Sequence, residues 1–224
     1  MRDIIISLGG SIIAPDKPDY FFLKDFKNFV IRHIDDCRFI IICGGGKTNS
    51  YYNEAATRIS NIKKDDLDRL GIMATRLNAE LLRVVFGNLA YEKVIHNPEE
   101  KIKTDKKIII ASGWKPGHST DLVAVFLAKQ FDAKEVLNLT NISYVYDKDP
   151  NKFKDAKKIF KATWNEYKKL ITGKWSPRLS TPFDPVASRE AHKKDIKVII
   201  LKGTDLKNVE AYISGKQFDG TVIG

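Results

Sequence analysis

Cysteine is scarce in this chain of 224 residues: the two present, Cys37 and Cys43, flank or sit in the apolar run Phe39-Ile40-Ile41-Ile42. A disulfide framework is therefore excluded, and without a second Cys/His cluster at zinc spacing no metal site is read. Free buried thiols and a reduced, cytoplasmic setting are the expectation. Long apolar runs are also missing. None approaches the roughly 18 residues that a membrane span needs, so no membrane role is read. The first residues lead straight into Ile4-Ile5-Ile6 and then glycines, with no pattern of a secretory leader. There is no RGG tract, RNP-like aromatic motif or Cys/His finger, which argues against a nucleic-acid partner. The net charge of +10 is then left to solubility or to acidic substrates. Its excess lies between Asp147 and Lys174, where nine lysines face four acidic residues at the scattered spacings of solvated faces. Two common nucleotide signatures are absent as well. Gly44-Gly45-Gly46-Lys47-Thr48 ends like a P-loop, but position 41 is Ile where that loop requires Gly, and no Gly-x-Gly-x-x-Gly occurs.

What is present is an alternation of short apolar runs with helical patterns. Strands are expected at Ile4–Leu8, Phe39–Cys43, Lys93–His96, Lys107–Ala111, Glu135–Thr140 and Lys197–Leu201, with a short one near Thr221–Ile223. Helices are expected at Tyr20–Ile34, Asn49–Ile59, Asp66–Leu89, Thr120–Phe131, Thr163–Ile171 and Asp184–Lys194. The strand runs are continuous in Ile and Val, which is the pattern of strands buried on both faces. The fold class is therefore α/β, a three-layer αβα sandwich with a mainly parallel central sheet. No linker or repeat divides residues 1–224, so one domain is expected.

In such sheets ligands collect outside the carboxyl ends of the strands. Gly9-Gly10-Ser11 follows the first strand here, Gly44-Gly45-Gly46-Lys47 the second, and Thr140-Asn141 the run Glu135–Thr140. The run Lys107–Ala111 leads into Ser112-Gly113-Trp114-Lys115-Pro116-Gly117-His118-Ser119-Thr120-Asp121, where the chain breaks on glycines and restarts on a helix cap. Backbone N–H groups at such a junction point into a small concavity suited to an anion. One glycine turn is commonly just a turn; several on one edge, one bearing Lys47, point to phosphate held by distributed short loops.

These motifs, together with Asp68-Arg69-Leu70-Gly71-Ile72, Ala74-Thr75-Arg76-Leu77-Asn78-Ala79, Asp149-Pro150, Asp184-Pro185 and Gly220-Thr221, resemble the amino acid kinase superfamily, and within it the archaeal-type uridylate (UMP) kinases. The resemblance runs nearly end to end. It implies an amino acid kinase-like fold, transfer of phosphoryl from ATP to UMP with Mg2+, and a cytoplasmic homohexamer serving pyrimidine nucleotide synthesis. It also implies an acceptor side over about 1–130 and an ATP side over about 131–224. By motif match, UMP is held by Gly45, Asp68 and the segment Trp114, Lys115, Pro116, Gly117, His118, Ser119 and Thr120, with Asp68 on the ribose. ATP is held by Gly9, Gly10, Gly46, Thr140, Asn141, Tyr146 and Asp149.

Donor and acceptor are both anionic, so in-line transfer needs positive charge between them, and Lys47 is the catalytic candidate. Asp121 is the second: it orients Lys47, lies near magnesium, or is an ordinary first-turn Asp of a helix. His118 is read as a loop hydrogen-bonding residue, because a phosphate acceptor needs no general base. Arg76 and Asn78 either touch nucleotide or brace their helix. The chain also departs from the pattern it resembles. Related kinases with other substrates place a Lys where Ser7-Leu8 stands, but the archaeal-type UMP kinases generally lack it too, with Lys47 as its substitute; Trp114 replaces a usual Thr, and Ser50 a usual Arg. Asn141-Ile142-Ser143-Tyr144-Val145-Tyr146 replaces Asn-Val-Asp-Gly-Val-Tyr. If the lost glycine used positive φ, Tyr144 should strain the loop by about 1 kcal/mol or more. Two other readings follow from these changes: a related kinase for another small phosphorylated acceptor, and a catalytically weak nucleotide-binding regulatory paralogue.

Overall fold

A computed structural model describes residues 1–150, 152–173 and 181–224. The charge-rich segment Asp147–Lys174 is covered apart from residues 151 and 174, which lie outside the described residues. In chain order the elements are β1 (Arg2–Leu8), α1 (Gly10–Ile13), α2 (Tyr20–His33), β2 (Cys37–Cys43), α3 (Gly46–Ile59), α4 (Lys64–Phe86) and β3 (Ile108–Ala111). Then come α5 (Thr120–Gln130), β4 (Glu135–Thr140), β5 (Val145–Tyr146), β6 (Lys158–Ile159), β7 (Lys161–Ala162), α6 (Trp164–Gly173), α7 (Pro185–Lys193), β8 (Lys197–Lys202), α8 (Leu206–Ile213) and β9 (Thr221–Ile223).

Among the described residues, seven strands form one sheet in the order β3-β2-β1-β4-β8-β9-β7. The pairs from β3 to β8 are parallel, whereas β9 runs antiparallel to β8. Strand side chains alternate between two buried faces, which is why the runs are apolar throughout. On one face Ile4, Ile6, Leu8, Phe39, Ile41 and Leu137 pack with α2, α4 and α8 residues such as Phe26, Leu82 and Val209. On the other, Ile5, Ile40, Ile42, Ile109 and Val136 pack with Val123, Leu127, Tyr167 and Ala187 of α5, α6 and α7. The three-layer sandwich read from the sequence is thus the observed fold. Both cysteines are free and buried.

Several boundaries differ from expectation, each for a local reason. Lys93–His96 is not a strand; only isolated bridges join Ile95 to Ala111 and Ala90 to Ile108. Tyr91 and Ile95 donate to Ile108 and Ile110, but the chain between is out of step, and Pro98 follows without an N–H to donate. Helix α3 starts at Gly46 rather than Asn49, because the glycine run itself winds into the first turn. Helix α4 ends at Phe86, and Gly87, at φ +57°, turns the chain into a 3-10 turn over Gly87–Leu89. Short α1, the β5–β6 hairpin, β7 and α8 were not expected; α8 starts where the Asp205 side chain accepts from the Asn208 N–H.

Strand β1 is central, with β2 on one side and β4 on the other. The strand order reverses there, and a crevice opens outside the carboxyl ends of the strands at such a point.

Candidate active site

The loops after β1 and β2 pack backbone against backbone at this point. A Cβ on Gly10 would lie 2.0 Å from the Gly46 nitrogen, and Gly46 itself stands at φ +62°. Glycine is needed here first so that two main chains can touch. The Gly9 N–H donates to Leu139 O at 2.8 Å and the Gly44 N–H to Leu8 O at 2.9 Å, so each loop is fastened to the neighbouring strand end. Asn78 of α4, buried, donates from Nδ2 to Gly44 O at 2.8 Å and Gly45 O at 3.2 Å. Asn78 therefore braces the loop. Lys47, second residue of α3, is exposed, and its N–H reaches Ala14 O at 3.3 Å.

Beside these loops lies a cleft of about 490 Å³ between α3, α4 and the segment leading into α5. Gly45, Asp68, Lys115, Gly117, His118, Ser119 and Thr120, all expected acceptor residues, line it. So do Asn49, Asn53, Gly71, Ile72, Thr75, Gly113 and Asp184, which the sequence reading did not select. The wall from α4 is one helix face: Asp68, Gly71, Ile72 and Thr75 fall at i, i+3, i+4 and i+7. That periodicity was available in the sequence, but nothing there separates a face turned to a cleft from one turned to the core. Two helix starts, those of α3 at Gly45 and α5 at Ser119, open on the same cleft, and such starts attract anions. The Ser119 hydroxyl caps α5 by accepting from the Leu122 N–H at 3.2 Å.

The segment Gly113–His118 is pinned to α4 at two places. The Gly113 N–H donates to Thr75 Oγ1 at 2.8 Å and the Gly117 N–H to Asp68 Oδ2 at 2.9 Å. The His118 N–H is used by Lys115 O, and its Nδ1 lies 3.2 Å from Pro116 O. Within the expected cradle Trp114–Thr120 the N–H groups of Gly117 and His118 are thus spent inside the protein, because a glycine at φ +78° folds the loop back onto the Asp68 carboxylate. Among the described residues, Ser119, Thr120 and Asp121 at the start of α5 keep N–H groups without a protein acceptor. Trp114 and Pro116 do not line the cleft. Trp114 turns to Phe126, ring centroids 6.0 Å apart, and carries the Lys115 ammonium 3.6 Å above its ring. Asn53 Oδ1 and Arg76 Nε are buried without a protein partner among the described residues.

Among the described residues no ion pair joins Asp121 to Lys47, and the partners of Asp121 lie elsewhere. The Asp121 carboxylate is surrounded by protein: Ser7 Oγ donates to Oδ1 at 2.8 Å and the Asp184 N–H to Oδ2 at 3.1 Å. Burial pushes its carboxyl up to about 6, against the pull of the Ser7 bond. Ser7, on β1 just ahead of Gly9-Gly10, is thus occupied with Asp121.

On the other side of the crevice, Thr140 and Asn141 end β4, with Thr140 Oγ1 3.3 Å from Asn141 Oδ1. Thr140 O accepts from the Gly203 N–H at 2.8 Å. Tyr146 sits on β5 opposite Lys158, and the Asp149 carbonyl accepts from the N–H groups of Lys152 and Phe153. The strain expected at Tyr144 is absent: among the described residues only Asp132 and Asp195 combine a side chain with positive φ. Tyr144 is buried instead, so the glycine conformation is not the one this loop uses.

A family model described as "Amino acid kinase family" matches residues 3–202. The uridylate kinase of Methanobrevibacter smithii is 32% identical over 223 residues, covering 98% of both chains. That of Methanocaldococcus jannaschii is 35% identical over 227 residues, again 98% of both. The crystal structure of uridylate kinase from Archaeoglobus fulgidus superposes with a TM-score of 0.85 at 26% identity, over 100% of both chains.

Proposed function

The chain belongs to the amino acid kinase family, and from that membership we infer that it is a UMP kinase, transferring the γ-phosphoryl group of ATP to UMP. The observation that carries the reading is the cleft on which the α3 and α5 starts converge beside Asp68. A nucleoside monophosphate has the matching parts: an anion for the helix starts and ribose hydroxyls for a carboxylate. Only one oxygen of Asp68 is spent on Gly117, which leaves the other for a ribose hydroxyl. In this reading Gly45, Ser119 and Thr120 face the acceptor phosphate, and Lys115, Gly117 and His118 form the wall of the nucleoside, with Trp114 and Pro116 behind it. ATP lies across Gly9, Gly10, Gly46, Thr140 and Asn141, with Tyr146 and Asp149 at its base. The division into an acceptor side over about 1–130 and a donor side beyond it is part of this proposal, with Asp184 contributed to the acceptor cleft from the second half.

Transfer between two phosphates needs no covalent intermediate and no general base. Lys47, set at the junction of the two glycine loops, neutralises charge that builds between donor and acceptor. Asp121 acts at a distance from it, holding Ser7 and the α7 cap in place. Among the described residues no three His, Cys, Asp or Glu side chains converge on a metal-ion cage. Magnesium enters this reading with the ATP substrate. The cytoplasm is the setting of such a reaction, and a homo-oligomer is the proposed assembly.

A coupled assay with ATP and, in turn, UMP, CMP, AMP and isopentenyl phosphate tests the reading. UMP is expected to be the preferred acceptor, and Lys47→Ala to lower turnover by about a hundredfold or more while UMP still binds. Preference for a non-nucleotide acceptor moves the chain to another kinase of the family; binding without turnover makes it a regulatory paralogue.

A further inference from the structure

We propose that Tyr144 is a positioning residue for the donor nucleotide, tying the β5–β6 hairpin that carries Tyr146 to the carboxyl edge of the main sheet. The proposal rests on the kinase reading and on the donor role given to Tyr146. Tyr144 is 4% exposed, and its hydroxyl donates to Asp219 Oδ1 at 2.6 Å. Asp219 is itself fixed: its N–H donates to Asn208 Oδ1 and its carbonyl accepts from Asn208 Nδ2, both at 2.7 Å. Thr221 of β9 pairs antiparallel with Ile200 of β8, so Asp219, two residues earlier, falls level with Lys202 at the carboxyl end of β8. The adjoining strand is β4, whose end carries Thr140 and Asn141. The tether therefore lands on the edge where the donor is expected.

The hairpin has two distinct faces. Tyr146 pairs with Lys158 and Val145 with Ile159, so Tyr144, Tyr146, Lys158 and Phe160 share one face by alternation. The Tyr144 ring meets Phe160 edge-on at 5.3 Å and lies 4.5 Å below the Lys158 ammonium. The reverse face, with Asp147, Ile159 and Lys161, turns to α6 across a cavity of about 530 Å³. The Val145 N–H donates to Thr221 Oγ1 at 2.9 Å. A two-stranded hairpin of this size does not hold itself in place; besides the Tyr144 and Val145 bonds, Thr221 Oγ1 donates to Ile159 O and the Val222 N–H to Phe160 O at 2.9 Å, which tie its second strand to β9. Loss of the Tyr144 bond leaves the ties of Val145, Ile159 and Phe160 to β9, so the hairpin stays folded while the face that carries Tyr146 loses its side-chain anchor and shifts. The Asp219 carboxylate pushes the phenol up to about 12, so the proton that makes the bond is retained at assay pH.

Steady-state kinetics with both substrates varied test the proposal. Tyr144→Phe is expected to raise the KM for ATP about tenfold, the order a hydrogen bond to a carboxylate carries, with the KM for UMP moving less than about twofold. Asp219→Ala should match it, Asp219→Asn, which keeps an acceptor, should stay near wild type, and the double variant Tyr144→Phe/Asp219→Ala should be no worse than either single one. An unchanged KM for ATP overturns the proposal, as does an equal rise for both substrates, the mark of a purely structural bond. If Tyr144→Phe does not fold, the two Asp219 variants give the same readout. A wild-type protein that transfers no phosphoryl group from ATP to UMP sinks the kinase reading first, and that result is distinguishable because no variant is involved.

Discussion

Asp121 joins Ser7 of β1 to Asp184, the N-cap of α7, through its two carboxylate oxygens. The sequence placed it in the first turn of α5, beside the expected anion site, and that placement holds. Its partners could not be read, because Ser7 is 114 residues away and Asp184 is 63. Their consequence is a pH dependence of stability. Burial raises the folded-state carboxyl from 3.8 to about 6, so between these values the folded protein binds the proton that the unfolded chain has released. The group's stabilising contribution is complete below about pH 4 and is lost as pH rises through about 6, by on the order of 3 kcal/mol. Urea unfolding of wild type and Asp121→Asn across pH 4 to 8 should show a difference between the two curves that changes over that window. A pH-independent difference would mean that the carboxyl titrates normally.

The loops are the element on which the site depends, and their glycines differ in kind. Gly10 and Gly117 look alike in sequence, each ahead of a helix. A Cβ on Gly10 meets the Gly46 nitrogen at 2.0 Å, whereas one on Gly117, at φ +78°, meets nothing within 4 Å. Gly10→Ala must therefore separate two backbones and is expected to cost about 3 kcal/mol or more of unfolding free energy. Gly117→Ala carries only a backbone penalty of about 1–2 kcal/mol and should fold. It should weaken UMP binding without altering ATP affinity, because it loosens the Asp68 contact on the acceptor wall alone. Chemical denaturation and titration calorimetry check the two halves; equal effects of both substitutions on stability would remove the distinction. The helices around these loops were legible to within a few residues, because caps and periodicity are local. Lys93–His96 misled because β-branched composition cannot show that an edge segment runs out of step with its neighbour.

Across the whole molecule, α4 carries a stripe that the single chain leaves uncovered: Met73, Leu77 and Val84 are 58%, 63% and 61% exposed. At about 100° per residue they fall within roughly 40° of one another on the helix. An exposed apolar stripe of this kind is expected to be covered by a second copy in the proposed homo-oligomer. Leu77→Glu should then shift the protein to a smaller species in sedimentation or light scattering while its circular dichroism is kept. A wild-type protein that is monomeric at the same concentration would refute this use of the stripe.

The sequence by itself determined which segments are buried strands, that the sheet is mainly parallel, and which loops crowd its carboxyl edge, because each of these depends on side-chain pattern within a few residues. Its resemblance to one kinase family supplied the roles. Only the tertiary structure decided the strand order that sets β1 between β2 and β4 and the spending of the Gly117 N–H on Asp68. It also joined Asp121 to Ser7 rather than to Lys47, and Tyr144 to Asp219 across 75 residues. These are pairings between distant groups. A hydrogen bond is decided by which partner arrives at about 3 Å, and that distance exists only after the chain has folded.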